Sequence, residues 1–372
     1  MNNDDVKIII SGGGTGGHIF PALAIAKAIK NITPSAELLF VGAEGKMEME
    51  RVPEAGYPII GLPIVGFNRK QLWKNIKVLF QLYKSQRMAR KIIKNFHPDV
   101  VVGVGGYASG PTLNIASKLG IPTLIQEQNS YAGVTNKILG KKAKVICVAY
   151  SGMERFFPKD KIILTGNPVR QNLLDSTITK EKALKQSNLS LNKKTILIVG
   201  GSLGAQSVNE SVLAQLDLIR KNHDIQFIWQ TGKLYFDRIK KTINSSPAIS
   251  NLQIKAFIKE MDTAYAAADL IISRAGAGSI SEFCLLEKAV ILVPSPNVAE
   301  DHQTKNAMAL VDKNAAIYVK DKDAKKELIP LAIESIKNEE LLQELKKNIG
   351  TLALPNSATV IANKVLELAK KH

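Results

Sequence analysis

The chain has 372 residues, 45% of them hydrophobic, which is enough for two domains that each bury a core. It carries 50 Lys and Arg against 33 Asp and Glu, a formal net charge of +17, and such a charge favours polyanionic partners: nucleic acid, anionic lipid head groups or phosphorylated substrates. Cys147 and Cys284 lie in apolar runs and predict buried free thiols, and no apolar stretch approaches the roughly 20 residues of a membrane span, so we expect a cytosolic protein without disulfides.

The first predicted strand and helix enclose a glycine-rich turn. Val6–Ile10 is a short apolar run typical of a buried strand, and Ala22–Ile29 has the periodicity of a helix. The turn between them holds five glycines, one threonine and His18. Glycines let a backbone approach a bulky anion closely, and a helix N-terminus adds N–H donors and the positive end of a dipole. The turn is therefore a candidate anion site.

Strand-like and helix-like segments then alternate. Val100–Val104 ends in a second glycine turn, GVGGYASGP, and Thr123–Gln126 ends in the polar sequence EQNS. Lys74–Asn95 predicts a long, basic, amphipathic helix. Further strands are predicted at Glu37–Val41, Val145–Val148 and Ile162–Leu164, and helices at Met47–Ala55 and Thr112–Leu119.

The same pattern restarts in the second half. Thr195–Val199 predicts a strand that runs into a third glycine turn, GGSLGAQS, and a helix follows at Val208–Arg220. Strands that alternate with helices predict parallel sheets covered by helices on both faces. The predicted fold class is therefore α/β, with two Rossmann-like doubly wound domains facing a cleft, and the glycine turns lie at the strand ends where such sheets bind ligands. Further strands are predicted at Ile225–Gln230, Gln253–Phe257, Leu270–Ser273 and Ala289–Val293, and a last amphipathic helix at Ser357–Lys371.

Two function classes can be tested against these observations. The spacing G-x-G-x-x-G in the first turn is typical of a dinucleotide-binding dehydrogenase, but Glu44 matches the required acidic residue only loosely, and a redox function explains neither of the other glycine turns. The charge is compatible with a nucleic-acid-binding protein, but the sequence holds no known motif of that kind and only 6% aromatic residues. We therefore expect no nucleic-acid partner.

Seven motifs occur in an order and near a spacing typical of one family. They are GGGTGGHIFPALAIA (12–26), GVGGYASGP (103–111), QEQNSYAGVTNK (126–137), TGNPVR (165–170), GGSLGAQSVN (200–209), RAGAGSISE (274–282) and EDHQTKNA (300–307). On these motifs, which span nearly the whole chain, the sequence closely resembles the MurG enzymes, the undecaprenyldiphospho-muramoylpentapeptide β-N-acetylglucosaminyltransferases. A different glycosyltransferase of the same fold, acting on a glycolipid or a natural product, is the second hypothesis.

The resemblance implies a glycosyltransferase type B fold. Residues 1–166 would form a Rossmann-like domain for the acceptor and the membrane, residues 167–356 a Rossmann-like domain for UDP-GlcNAc, and the helix at about 357–372 would pack back on the first domain. The implied reaction moves GlcNAc from UDP-GlcNAc to the 4-hydroxyl of MurNAc in lipid I, with inversion, and gives lipid II for peptidoglycan synthesis, cell shape and cell division. The implied location is peripheral, on an anionic membrane surface at the cytoplasmic face of the inner membrane, with other cell-wall synthesis proteins as further partners.

Transfer to a hydroxyl needs a base, and two residues are candidates. His18 is preferred, because histidine titrates near neutral pH and this one lies at the mouth of a glycine turn. Glu127, at the end of a predicted strand, is the second candidate, with a structural carboxylate that holds the loop as its alternative role. The departing diphosphate needs hydrogen-bond donors, which we predict at Ser202 and its neighbouring amides at a helix start, and at Arg170 after a Pro-fixed turn.

The resemblance assigns roles to further single residues. It implies that Ile258 contacts uracil through its backbone, that Glu282 binds the ribose hydroxyls and that Gln303 binds GlcNAc hydroxyls. It also implies that Arg170 and Ser202 contact the donor diphosphate. The nucleotide phosphates would lie around Ala277, Gly278, Ser279, Ile280 and Ser281, and the sugar would be reached from the other domain by Thr15, Gly16, Gly17 and Asn129.

The acceptor is a lipid diphosphate, and the first two glycine turns are free to bind it. A membrane-facing surface is predicted nearby, because apolar and aromatic side chains alternate there with Arg69, Lys70, Lys74 and Lys77. An ordinary amphipathic helix packed on the core is the alternative. The acceptor phosphates are expected at Gly14, Gly105, Gly106, Tyr107 and Ser109, and the membrane contacts at Phe67, Leu72, Trp73, Ile76, Leu79 and Phe80.

No metal or other cofactor is expected. Asp321-Lys322-Asp323 superficially resembles the D-x-D metal motif of another glycosyltransferase type. It lies in a Lys-rich stretch, where a solvated turn is expected. Helix dipoles and Arg170 would then neutralise the leaving group.

Overall fold

A computed structural model describes residues 6–66, 75–170, 173, 175–201 and 203–370. The chain divides into two compact units. The first unit comprises Met1–Arg170 and Leu354–His372, and the second comprises Gln171–Ala353. The last helix therefore belongs to the first unit, although the whole second unit precedes it in the sequence.

The first unit is built on a parallel sheet with the strand order β3-β2-β1-β4-β5-β6-β7. Ile8 and Ile10 of the central strand face one layer of the core and Ile9 faces the other. Both faces of the sheet are buried, which explains why this strand is an uninterrupted apolar run. The strands are β1 (Lys7–Ser11), β2 (Glu37–Ala43), β3 (Ile59–Leu62), β4 (Val100–Gly103), β5 (Thr123–Glu127), β6 (Val145–Val148) and β7 (Ile162–Leu164).

Helices cover both faces of this sheet. On one face the last helix packs against the first, because Ile361 and Val365 lie in the same buried cluster as Ile25 and Ile29. The helices of the unit are α1 (Gly16–Ile32), α2 (Glu48–Glu54), α3 (Asn75–Phe96), α4 (Ser109–Lys118), α5 (Val134–Gly140) and α15 (Ser357–Lys370), with short 3-10 turns at Met153–Arg155 and Lys159–Lys161.

The second unit is built on a parallel sheet with the order β10-β9-β8-β11-β12-β13. Its core is one large apolar cluster that includes Phe227 and Trp229. The strands are β8 (Lys194–Val199), β9 (Ile225–Gln230), β10 (Leu252–Lys255), β11 (Leu270–Ser273), β12 (Ala289–Leu292) and β13 (Ile317–Tyr318). The helices are α6 (Lys180–Gln186), α7 (Gln206–Ala214), α8 (Leu216–Lys221), α9 (Lys233–Asn244), α10 (Met261–Ala267), α11 (Ala277–Leu285), α12 (His302–Val311), α13 (Ala324–Lys337) and α14 (Glu339–Gly350), with a 3-10 turn at Ala299–Asp301.

The predicted α/β fold with doubly wound parallel sheets is confirmed, with one correction to its helices. The single helix predicted over Val208–Arg220 is wrong, because the structure has α7 and α8 there. Gln215 separates them with φ −121° and ψ 22°, which lies outside the helical region. Leu216 and Ile219 of α8 are still buried in the core, so the break turns the chain without exposing its apolar face.

Both thiols are buried and free, as the sequence predicts. Burial raises the pKa of Cys147 to about 12 and the pKa of Cys284 to about 12, so both thiols are protonated at neutral pH. Within the described ranges, no helix has the length and apolar character needed to cross a bilayer.

Candidate active site

In both sheets the glycine turns lie where the strand order reverses. The order changes direction between β1 and β4 in the first unit and between β8 and β11 in the second. Ligands of open parallel sheets bind outside the carboxyl ends of the strands at such a switch point. The first two glycine turns follow β1 and β4, and the third glycine turn follows β8.

A cavity of about 550 Å³ lies at the switch point of the second unit. It is bounded by the third glycine turn, by the start of α7 and by the start of α11. Two helix N-termini therefore contribute backbone N–H groups and positive dipole ends to one cavity, which suits a phosphate-bearing ligand. The lining residues include Gly200, Gly201, Gly204, Ser207, Tyr235, Arg274, Ser279, Ser295, Gln303 and Asp321.

Glycine is required in the third turn because the backbone of the next loop packs directly against it. Gly204 has φ +84°, and a Cβ atom there would lie 2.1 Å from the Thr231 carbonyl oxygen. The side chain of Gln230, at the end of β9, ties this turn in place by donating from Nε2 to the Gly201 carbonyl oxygen at 3.0 Å. Ser202, predicted at this turn, lies outside the described residues.

Gln230 also fixes the backbone of Ile258, the predicted uracil contact. The Ile258 N–H donates to Gln230 Oε1 at 2.8 Å, so this backbone donor is already occupied. Gln230 was not among the residues predicted from the sequence. The signal that could have identified it is a polar residue at the carboxyl end of a mostly apolar strand.

The predicted donor residues on α11 divide into two groups. Ser279 lines the cavity, whereas Ala277, Ile280 and Glu282 are buried and do not line it. Glu282 Oε2 accepts a hydrogen bond at 2.9 Å from the hydroxyl of Tyr265, which is itself buried. Gly278 and Ser281 lie in the first two turns of the same helix, and the Ser281 hydroxyl donates to the Ala277 carbonyl at 3.1 Å.

Gln303, the second residue of α12, lines the cavity. Its Oε1 accepts the Ser295 N–H at 2.9 Å, which fixes the orientation of the amide. The amide Nε2 is then the donor that Gln303 can offer to a sugar hydroxyl.

Arg274 was missed as a site residue, although it opens one of the seven motifs. It follows β11 directly, lines the cavity and forms an ion pair with Asp321. The predicted turn at Asp321-Lys322-Asp323 is present, but the Asp321 side chain is only 23% exposed, because it pairs with Arg274. Sequence spacing could not show this contact, because the two residues are 47 positions apart.

In the first unit, His18 lies in the first turn of α1 with a fixed ring orientation. Its Nδ1 is 3.0 Å from the Gly13 carbonyl oxygen and 3.3 Å from Thr15 Oγ1. A carbonyl can only accept, so Nδ1 carries the proton in this contact and Nε2 is the basic nitrogen. Nε2 lies beside Gly105, where a Cβ atom would be 2.9 Å from it.

The first two glycine turns pack against each other through their backbones. The Gly13 N–H donates to the Gly105 carbonyl at 3.2 Å. Gly106 has φ +84°, and a Cβ atom there would lie 2.2 Å from the Gly13 carbonyl oxygen. Ser109 is buried and donates to the Gly106 carbonyl at 2.9 Å, whereas Tyr107 is exposed.

A buried carboxylate that the sequence analysis missed fills the inner side of the first turn. Glu48 Oε2 accepts the Gly14 N–H at 2.8 Å, and Oε1 accepts the Ala43 N–H at 3.0 Å. The Gly14 N–H is therefore occupied, and a contact of Gly14 with an acceptor phosphate would not involve this donor. Glu48 occurs in a charged stretch where nothing distinguishes it from its neighbours.

Glu127 is buried and accepts four hydrogen bonds. Oε1 accepts from the backbone N–H and the side chain of Asn129, and Oε2 accepts from the Gly133 N–H and from Asn136 Nδ2. These bonds hold the loop after β5 and the start of α5. Arg170, the last residue of the first unit, is half-buried, as is Asn129, while Thr15, Gly16 and Gly17 surround the start of α1.

Apolar residues are exposed along the first half of α3. Leu79 and Phe80 are 56% and 70% exposed, and Tyr83, one turn further, is 60% exposed. Phe67, Leu72 and Trp73 lie outside the described residues, and so does the side chain of Ile76. Leu79 and Phe80 therefore do not pack on the core, and the alternative of an ordinary core-packed helix does not explain why these two residues are apolar.

Comparison with known proteins shows which protein family this chain matches. The model described as glycosyltransferase family 28 N-terminal domain matches residues 8–148, and the one described as glycosyltransferase family 28 C-terminal domain matches residues 195–362. A protein of Bacteroides fragilis named UDP-N-acetylglucosamine--N-acetylmuramyl-(pentapeptide) pyrophosphoryl-undecaprenol N-acetylglucosamine transferase is 64% identical over 99% of this chain and 97% of its own length. A protein of the same name from Bacteroides thetaiotaomicron is 64% identical over 98% of each chain. The crystal structure of Acinetobacter baumannii MurG has a TM-score of 0.79 and 30% identity, covering 97% of this chain and 99% of that one.

Proposed function

Because the chain belongs to glycosyltransferase family 28, we propose that it transfers GlcNAc from UDP-GlcNAc to the 4-hydroxyl of MurNAc in undecaprenyl-diphospho-MurNAc-pentapeptide. The product is lipid II, the disaccharide precursor of peptidoglycan. The observation that carries the proposal is the cavity of the second unit, where a glycine turn, two helix N-termini and Arg274 suit the diphosphate of a nucleotide sugar. The names of the full-length relatives identify the sugar and the acceptor.

In the proposed mechanism the donor is held in the second unit. The carbonyl of Ile258 faces the uracil, Glu282 binds the ribose, and Ser279, Ser281 and their neighbours bind the phosphates. Gln303 donates from Nε2 to the GlcNAc hydroxyls. The N-terminus of α7 with Ser202, together with Arg274 and Arg170, stabilises the charge that develops on UDP as its bond to C1 breaks.

The acceptor is activated by the first unit. His18 Nε2 takes the proton of the MurNAc 4-hydroxyl as its oxygen attacks C1 from the face opposite the diphosphate, which inverts the anomeric configuration. The Gly13 carbonyl holds Nδ1–H and keeps Nε2 basic. The second glycine turn, with Gly106, Tyr107 and Ser109, binds the acceptor diphosphate. Glu127 positions Asn129 toward the donor sugar, and its four accepted bonds support this role over that of a base.

A transfer assay tests this proposal. Purified protein is mixed with radiolabelled UDP-GlcNAc and a short-chain lipid I analogue, and the label in the lipid-extractable product is counted. We expect label in the product with this acceptor and none with a matched polyprenyl diphosphate that lacks MurNAc-pentapeptide. Intact binding of UDP-GlcNAc without transfer would contradict the acceptor assignment, and absence of binding would contradict the donor assignment.

We also propose that the exposed apolar residues of α3 contact an anionic membrane surface from the cytoplasmic side. Phe80 and Leu79 are exposed, and Arg87 places its guanidinium 6.0 Å from the Tyr83 ring. Apolar side chains followed by basic ones along one helix suit the boundary between acyl chains and anionic head groups. The lipid acceptor requires such a contact, because its diphosphate lies at the bilayer surface.

Replacing Leu79 and Phe80 with serine should lower co-sedimentation with vesicles of phosphatidylglycerol and phosphatidylethanolamine about tenfold or more, since each apolar side chain contributes roughly 1.5–3 kcal/mol on burial. Transfer to a water-soluble acceptor analogue should be unchanged. Leu234→Ser is the matched control, because Leu234 is 79% exposed on α9 of the second unit. Equal losses from the double variant and from the control would contradict a specific contact through α3.

A further inference from the structure

Arg274, Asp321 and Ser207 form a polar cluster on the wall of the cavity in the second unit. Arg274 follows β11, Asp321 follows β13, and Ser207 lies in the first turn of α7. We call these three residues the Arg274 cluster. The proposed function above uses Arg274 but gives no role to Asp321 or Ser207.

The cluster holds the guanidinium of Arg274 from one side. Nη1 donates to the Asp321 carboxylate and to the carbonyl oxygens of Val293 at 2.9 Å and Pro294 at 3.2 Å. Nη2 donates to Ser207 Oγ at 2.9 Å, and the Ser207 hydroxyl donates in turn to Asp321. Arg274, Ser207 and Asp321 thus close a ring of hydrogen bonds.

The other edge of the guanidinium is left for a ligand. The bonds above use Nη1 and one hydrogen of Nη2, and within the described residues the Nε–H and the second Nη2–H have no partner. These two donors lie side by side and form the fork that binds two phosphate oxygens at once. Arg274 is also the only cationic side chain among the described residues that line the cavity.

We propose that Asp321 is a positioning residue that fixes Arg274 for binding of the UDP diphosphate. This inference rests on the proposed function. An unrestrained arginine loses conformational freedom when it binds a phosphate, and Asp321 and Ser207 impose that restriction before the ligand arrives. Because Asp321 contacts Nη1 and leaves the Nε and Nη2 edge open, the diphosphate binds without displacing it.

Calorimetric titration of the full-length protein with UDP and with uridine tests this inference. Asp321→Ala should weaken UDP binding about tenfold, since loss of a charge-assisted positioning contact is of that order, while the affinity for uridine, which has no phosphate, stays unchanged. Asp321→Asn retains an acceptor for Nη1 and should keep UDP affinity within about threefold. In an Arg274→Ala background, Asp321→Ala should have no further effect.

Two further variants keep the result interpretable. Ser207→Ala removes the acceptor for Nη2 and should weaken UDP binding by roughly threefold with uridine unchanged, and it decides the question if Asp321→Ala does not fold. Glu339→Ala, which breaks the exposed Lys194–Glu339 pair of the same unit, should change neither ligand. Equal losses for UDP and uridine, a tighter UDP complex, or an effect that persists without Arg274 would overturn the inference. Failure of the unaltered protein to bind UDP would instead overturn the proposed function.

Discussion

His18→Ala is expected to lower kcat by about 10²- to 10⁴-fold, the usual contribution of a general base, while UDP-GlcNAc binds as before. The reason lies in the ring orientation. The Gly13 carbonyl accepts the proton of Nδ1 at 3.0 Å, which leaves Nε2 as the ring nitrogen that can take a proton. Most of the proposed donor contacts lie in the second unit and His18 is not one of them, so the binding of UDP-GlcNAc should not depend on the imidazole. Steady-state rates and calorimetric titration of the same preparation measure both quantities.

The matched control for this prediction is His223→Ala. His223 is exposed in the second unit before β9 and belongs to none of the seven motifs, so its removal should leave kcat unchanged. Glu127→Gln gives a second comparison. The glutamine would place an NH₂ group against the N–H donors that Glu127 now accepts, so thermal stability should fall together with kcat. Retained turnover in His18→Ala would move the role of the base to another group.

The strands of the two sheets were predictable from the sequence because both faces of each sheet are buried. Ile225–Gln230 and Leu270–Ser273 match their predicted bounds, since a short, mostly apolar run ending in a polar residue is typical of a buried strand. β3 and β13 were not predicted as strands. Ile59–Leu62 lies between prolines, and Ile317–Tyr318 is too short to produce a pattern.

The residues of the candidate site were predictable from the sequence only where the backbone geometry favours one residue type. Glycine turns stand out because positive φ angles and close backbone contacts favour glycine over the other residues. Glu48, Gln230 and Asp321 act instead through ordinary hydrogen bonds to residues 34, 28 and 47 positions away. Such pairs come together only when strand order is known, and strand order follows from the crossovers between parallel strands and not from local spacing.

The second large effect is expected from Gly106→Ala, which should lower kcat by about 10²-fold or more, since a displacement of catalytic groups by about 1 Å costs that much. The new Cβ atom would lie 2.2 Å from the Gly13 carbonyl oxygen, which is the group that orients His18. The first turn must then move, and the contact with Nδ1 moves with it. The donor cavity is built from other residues, so the affinity for UDP should not change.

Gly120→Ala separates this clash from backbone strain. Gly120 has φ +82°, almost the same as the +84° of Gly106, but a Cβ atom at Gly120 would meet nothing within 4 Å. Both variants therefore carry the strain of a left-handed alanine, roughly 1–2 kcal/mol, and thermal unfolding should show it in each. Only Gly106→Ala should lose turnover, because only there does the methyl group displace the carbonyl that holds the base. Equal turnover in the two variants would show that the second glycine turn does not fix the position of His18.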